Sequence, residues 1–575
     1  MTYRMNILGA LLSGFAISAP TSLDAHDEAR KSELFSPRVA HADRAQSADT
    51  TDPSWYEGFG EFGMTIRTRS SAAQKHFDQG LGLLWGFNHA AAVAAFRAAQ
   101  EADPQCSTCY WAEAYAYGPN LNDVMRPENE EAARIAAKRA AGYARTAREI
   151  EMGQALLLRY TPDLPDQTAR NQAFANAISK VADRFPTDAN LQVIKADALM
   201  NLQPWDYWEA GGVTPKGNGA EILATLERAI ELSPKHPAAL HLYIHAVEAS
   251  ANPARAEKAA DKLRGLVPAA GHLTHMPAHI YNRIGRYADS IAVNRDAIAA
   301  DERYLALAGE RASSLYRFGY YPHNVHFLLI GAQSAGLKEL ALEAADKLAT
   351  ITSDEVSAEL AWVQAIRTAP YSAHAQFSDP ETILALPAPD AAFPFVKGFW
   401  HYARGAALAS KGALAEAQGE VRQIEKIISK ANFASLEAQY LPARDVLGLA
   451  KHLIEGRIAA ARGDFDAARR HVGDAIALEA KIPYMEPAYW PTPCYRTLGA
   501  IELMAGRPFA AAQAFEAALS RAPRDGGAAW GLWQARLAEF GPNPNREEAA
   551  ALARLRAEFR KAWLGAESQL SLDRL

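Results

Sequence analysis

Small residues, aromatics and prolines recur along this chain at the 34-residue period of a tetratricopeptide (TPR) helix pair, and that recurrence limits its fold more than any other feature. With Ala73 at position 1, Gly80 falls at position 8, Ala92 at 20, Phe96 at 24, Ala99 at 27 and Pro104 at 32. Small residues let two helices cross closely, an aromatic fills the space between them, and proline ends the second helix. The frame continues through Ala114 and Tyr117, and returns at Gln203, where Ala229 and Pro234 take positions 27 and 32. Units starting at Pro237 and Gly271 put Pro268 at position 32 and Tyr281 at position 11. Near the C-terminus the pattern recurs as Gly405 with Ala417, Gly456 with Ala468, and Gly499 with Ala511, Phe515, Ala518 and Pro523. The expectation is an all-α, TPR-type α-solenoid of about eight helix pairs, some degenerate. Pro/Gly/aromatic insertions fall at 161–167, 203–219 and 368–394, where they could close the array into a superhelix.

The organisation expected along the chain is a signal peptide over 1–25, a polar leader over 26–70, and N-terminal TPR pairs with a CxxC over 71–202. His-rich central pairs follow over 203–340, an irregular helical connection over 341–397, and C-terminal pairs over 398–575. Arg4, the apolar stretch Ile7 to Ile17 and the small residues up to Ala25 have the composition of an export signal. The alternative for this stretch is an uncleaved anchor or a buried helix. No later segment carries eighteen uninterrupted apolar residues, so no transmembrane segment is expected after cleavage. Export from a bacterial cell means the periplasm or beyond. A net charge of −6 without a basic run gives a nucleic-acid partner no electrostatic support.

Eight of the sixteen histidines lie between His236 and His326. In "HLYIHAVE", His241 and His245 stand four apart with Glu248 one turn on, so all three share a helix face. His275 and His279 in "HLTHMPAHIY" hold the equivalent positions, 5 and 9, of the next repeat, which in TPR arrays face the concave groove. Packed helices lie roughly 8–10 Å apart, so the two pairs are placed to share a metal ion. The metal ligands expected are therefore His241, His245, His275 and His279. His272, His323, His326 and Glu248 are alternative ligands or supports for them. Imidazole-rich ligation suits copper, zinc or iron; no haem and no nucleotide is expected. Pro277 is awkward inside a helix, so a helix is expected to start there, with His275 ahead of it. Without a metal, the same histidines would be groove residues bonded to Tyr243, Tyr281 and Asn324, or one of them would be a catalytic histidine.

Cys106 and Cys109 form a CxxC at a helix N-terminus, readable as a redox dithiol, as soft metal ligands, or as a local structural disulfide. Tyr110 follows where c-type haem attachment requires histidine. "YMEPAYWPTPCYR" (Tyr484 to Arg496) reads as an inter-repeat turn with packed aromatics or as a lip over the groove. "QPWDYWEAGG" (Gln203 to Gly212) covers a ligand or fills a joint. Cleavage after Ala25 would expose His26 as a terminal copper ligand, with nothing else in the leader to support it. No GxSxG, Walker loop, HExxH or GxGxxG opening a helix occurs, which argues against the common hydrolase, NTPase and dinucleotide classes.

The strings "FDQGLGLLWGFNHAAAVAAFRAAQEADPQC", "CYWAEAYAYGPNLN", "HLYIHAVEAS", "HLTHMPAHIYNRIGRYADS", "YYPHNVHF" and "YMEPAYW" together resemble a bacterial family of exported TPR proteins. The resemblance runs from about residue 55 to 535 and is most specific in the histidine strings. It implies the fold and export but no reaction. The resulting functional expectation is a periplasmic solenoid that binds a transition metal in its concave groove, with or without a reaction. The rival is a non-enzymatic scaffold that clamps a peptide or protein partner. Such clamps normally present Lys, Arg and Asn at the groove positions where this chain has His and Tyr.

Overall fold

A glycine facing an aromatic ring sets the crossing of the first helix pair. Ser71–Trp85 packs on His89–Ala102, and a Cβ added at Gly80 would lie 2.4 Å from the Phe96 ring. The same device recurs near the other end. There Cys494–Met504 meets Pro508–Arg521, and a Cβ at Gly499 would lie 2.8 Å from the Phe515 ring. Both phenylalanines are fully buried. In each pair the hydrogen at position 8 gives the ring at position 24 its room, which is the packing reason for the repeat pattern.

The computed structural model describes residues 58–575. The signal-peptide reading, its cleavage after Ala25, and His26 all lie outside those residues, as does most of the polar leader. From Ser71 to Ala562 consecutive helices pack on one another. The chain is an all-α, TPR-type solenoid. Among the described residues, extended pairing is limited to isolated bridges between Asn120 and Asp123 and between Trp208 and Pro215. No helix among them is long and apolar enough to cross a membrane.

Some pairs escape the sequence frame. Ala147–Arg159 with Gln167–Arg184 is one, offset by the turn after Tyr160. Its start is set locally by a capping box, in which Thr146 Oγ accepts from the Glu149 N–H at 3.1 Å and Glu149 Oε2 accepts from the Thr146 N–H at 3.1 Å.

The CxxC is a disulfide. Cys106 is the N-cap of Ser107–Ala116 and is bonded to Cys109, both buried. Cys494 is a buried free thiol.

Long-range contacts wind the array back on itself. Gly58 O accepts from the Ala269 N–H at 3.1 Å, so the segment before the first helix lies across the central repeats. Further on, Tyr287 donates to the Pro523 carbonyl at 3.0 Å and the Leu564 N–H to the Ala335 carbonyl at 2.7 Å. Gly336 ends Tyr321–Ala335 in the left-handed region at φ 74°, and a Cβ there would lie 2.3 Å from the Trp563 indole. The C-terminal repeats are thereby held against the middle of the chain, which encloses the histidine helices.

Candidate metal centre

Four helices carry the histidines: α1 (Pro237–Glu248), α2 (Gly271–His275), α3 (Pro277–Arg283) and α4 (Tyr321–Ala335). Pro237 occupies the first turn of α1, where a missing N–H costs nothing, and His236 caps it by accepting from the Ala239 N–H at 3.3 Å. His241, His245 and Glu248 then fall on one face of α1. Pro277 starts α3, but Met276 between α2 and α3 keeps helical angles (φ −48°, ψ −37°). The backbone therefore bends without reversing, and His275 stays beside His279. A π-helical turn, Tyr316–Tyr320, leads into α4. Its extra residue shifts the register of the next turn, and His323 arrives 4.9 Å from His275, ring centre to ring centre.

The side chains form two sets of three. His241, His245 and His272 make the first, and His275, His279 and His323 the second; within each set the nearest nitrogens lie within 4.8 Å of one another. The shortest separations are 3.2 Å between Nε2 of His241 and His272, and 2.8 Å between Nε2 of His275 and His279. The two sets abut, with His245 and His279 ring centres 5.4 Å apart.

Glu248 joins the sets from behind. One carboxylate oxygen accepts from His245 Nδ1 at 2.6 Å and the other from His279 Nδ1 at 2.6 Å. Asn294 plays the same part for His275. Its amide nitrogen donates to the Ser290 carbonyl at 2.8 Å, which leaves Oδ1 to accept from His275 Nδ1 at 2.7 Å. These partners assign the tautomers: with Nδ1 donating, the neutral ring carries a bare lone pair on Nε2. Three imidazoles therefore turn Nε2 lone pairs toward the interior. Two of them, on His275 and His279, face each other at 2.8 Å, an N–H···N hydrogen-bond distance once His279 takes a second proton, and one that an ion chelated by both rings would also satisfy. The third, His245 Nε2, is buried and has no partner.

Electrostatics keep most of the group neutral. Burial pushes His241, His272, His275 and His323 well below the ordinary imidazole range, and neighbouring imidazoles add to the effect. Burial also lowers His245, against the pull of Glu248. His279 goes the other way. Burial opposes its charge, but Glu248 outweighs that and raises it. Glu248, fully buried, is opposed by desolvation yet held below the usual carboxylate range by His279 and His245. Five neutral imidazoles around one buried carboxylate form a donor set that suits a borderline transition-metal cation.

The polar partners expected for metal-free groove histidines are engaged elsewhere. Tyr243 donates to Glu227 at 2.7 Å, Tyr281 to Asp261 at 2.8 Å, and the Asn324 amide to Asp301 at 2.7 Å. His326 lines the cavity described below but belongs to neither set.

The centre is not displayed on an open groove. His241, His245, His275 and His279 are at most 2% exposed, and above them lies a cavity of about 660 Å³ whose floor includes His245, His272, His279 and His323. Both aromatic strings line it. In the first, the Trp208 indole donates to the Ala246 carbonyl at 2.8 Å. Gly212, at φ 70°, comes so close to α1's end that a Cβ would lie 2.8 Å from the Ala249 carbonyl. In the second, the Tyr484 hydroxyl donates to the partly buried Glu486 and lies 3.3 Å from a Glu248 carboxylate oxygen. Burial and the Glu248 charge raise the Glu486 carboxyl above its ordinary range. Glu486 and Tyr484 gave no sequence signal as parts of the centre beyond their place in an aromatic, proline-rich string.

No protein-family model and no curated protein matches the chain. Solved helical-repeat structures do align with it at low identity. The Cut9–Hcn1 hetero-tetramer of the APC/C is 12% identical, with a TM-score of 0.30 over 82% of this chain and 78% of that one. The human IFIT1 dimer with m7Gppp-AAAA is 12% identical, with a TM-score of 0.30 over 94% and 98%. The same dimer with PPP-AAAA gives 12% and 0.31 over 92% and 99%.

Proposed function

We propose that this TPR solenoid is a metalloprotein of the bacterial periplasm that holds transition-metal ions in the two three-histidine sets. His241, His245 and His272 would bind one ion, and His275, His279 and His323 the other. Glu248 and Asn294 would fix the tautomers from behind, as carboxylates and carbonyl groups do for ligating histidines generally. The observation that carries the reading is the convergence of six imidazoles in two sets of three, the ligand atoms of each set within 4.8 Å of one another, with the orphaned His245 Nε2 among them. Copper, zinc and iron all suit such donors. A bound ion would supply Lewis acidity or redox chemistry at the floor of the cavity. The assignment to the periplasm rests on the N-terminal export signal and on the resemblance carried by the histidine strings.

The test is elemental analysis of protein purified without chelator. Close to two equivalents of one transition metal are expected, falling below a tenth of that in the His245→Ala/His279→Ala variant, with helical content unchanged by circular dichroism. Less than half an equivalent in the parent, or the same metal content in the variant, contradicts the proposal.

A further inference from the structure

The cavity above the histidines has features that the binding of ions alone does not account for. Its walls include Trp205, Trp208, Tyr320, Trp362, Tyr440 and Tyr489, a concentration of flat faces well beyond what excluding water from an ion requires. The volume of about 660 Å³ falls in the range of small-molecule sites, roughly 300–1,000 Å³. The 204–212 insertion and the 481–489 segment both contribute to its lining.

Backbone strain gathers around the same place. Four non-glycine residues among those described have positive φ: Phe87 at 55°, Trp205 at 65°, Tyr440 at 58°, and Arg524. Bulky side chains adopt that region only when their surroundings impose it, and such residues cluster at ligand clamps and active sites. Three of the four are aromatics at this centre. Phe87 lies 4.7 Å from His241 and 4.9 Å from His272, ring centre to ring centre. Trp205 stands edge-on to His245 at 5.0 Å, and Tyr440 is part of the cavity wall.

Among the buried polar atoms of the lining that lack partners are Trp205 Nε1 and His326 Nδ1. A buried indole N–H left unpaired is costly, and it is suited to an oxygen acceptor arriving in the cavity. His326 offers a ring nitrogen that a hydroxyl can meet in either tautomer.

Resting on the metal reading above, we infer that the cavity binds a planar aromatic compound bearing hydroxyl oxygens, a phenol or catechol. Its ring lies among the aromatic walls, one oxygen reaches the metal at the histidine floor, and Trp205 Nε1–H and His326 serve the oxygens. Ring stacking selects a flat molecule, while metal and N–H together select oxygen donors. The aromatic faces disfavour aliphatic diols and sugars of the same size.

Zinc-loaded protein tests this without turnover, because zinc has no redox chemistry. The probe is 4-nitrocatechol, whose visible spectrum shifts on coordination, titrated while zinc is measured in the same sample. Saturable binding with a spectral shift is expected, with none for trans-1,2-cyclohexanediol at the same concentrations. Trp205→Phe keeps a ring in the wall and removes the N–H. It is expected to weaken the probe roughly fivefold, the worth of about one hydrogen bond, with zinc content unchanged. Absence of stoichiometric zinc sinks the metal reading itself. Zinc present without probe binding, equal binding by the aliphatic diol, equal affinity in Trp205→Phe, or an unshifted probe that binds metal-free protein equally well would each overturn this inference alone.

Discussion

Glu248→Gln is expected to cost one of the two histidine sets about 10- to 100-fold in metal affinity, while the other set retains its ion. The reasoning is in the hydrogen count. Glu248 is fully buried and accepts from two imidazoles at once, one on each oxygen. Glutamine has nearly the same shape but only one acceptor oxygen; its amide group is a donor. Facing that group, His245 or His279 would have to present a bare Nδ1, so its proton would move to Nε2 and occupy the ligand lone pair. A titration of metal-free variant with zinc should resolve two unequal affinities where the parent shows two similar ones. If Glu248 merely filled space, the isosteric variant would bind like the parent, and the tautomer assignment would be wrong.

Phe515→Ala is expected to destabilise the C-terminal repeats by about 3–5 kcal/mol, the usual cost of deleting a buried phenylalanine. The ring is fully buried between two glycines: Cβ atoms added at Gly499 and Gly531 would lie 2.8 and 2.3 Å from it. With no side chains on either side to collapse inward, the cavity left behind stays open, which places the cost toward the upper end. Because repeat arrays unfold through neighbouring units, hydrogen exchange over residues 494–540 reads the effect directly. Phe509→Ala, six residues away and 57% exposed, should change stability by less than about 0.5 kcal/mol.

The repeat fold was legible because its packing rule is local and chemical. Gly80 with Phe96 and Gly499 with Phe515 stand sixteen residues apart in both pairs, and the structure joins them in both. Pairs such as Ala147–Arg159 with Gln167–Arg184 were not legible, since the turn after Tyr160 displaces their landmarks from the period. At the centre, helical spacing grouped His241 with His245 and His275 with His279. It could not say that His272 completes the first set. That depends on how α2 crosses α1, and the resulting 3.2 Å approach to His241 has no period in sequence. His323 depends on the π-helical turn at Tyr316–Tyr320, a register shift with no residue signature. Pro277 suggested that His275 lies ahead of the helix and less securely placed. It does precede α3, but the helical angles of Met276 keep it in the group. The approach of the Tyr484 segment to the centre was equally remote in sequence, since Tyr484 lies 3.3 Å from Glu248 across 236 positions.

Anomalous diffraction from crystals of the metal-loaded protein, collected on either side of the metal's absorption edge, tests the central claim most directly. Two peaks are predicted, one about 2 Å from Nε2 of His245 within the first set and one about 2 Å from Nε2 of both His275 and His279 within the second, the bond length of zinc to imidazole. The Glu248 oxygens should remain on the Nδ1 side of both rings. No peak among these six histidines, or a single peak bound to the Glu248 carboxylate, would contradict it.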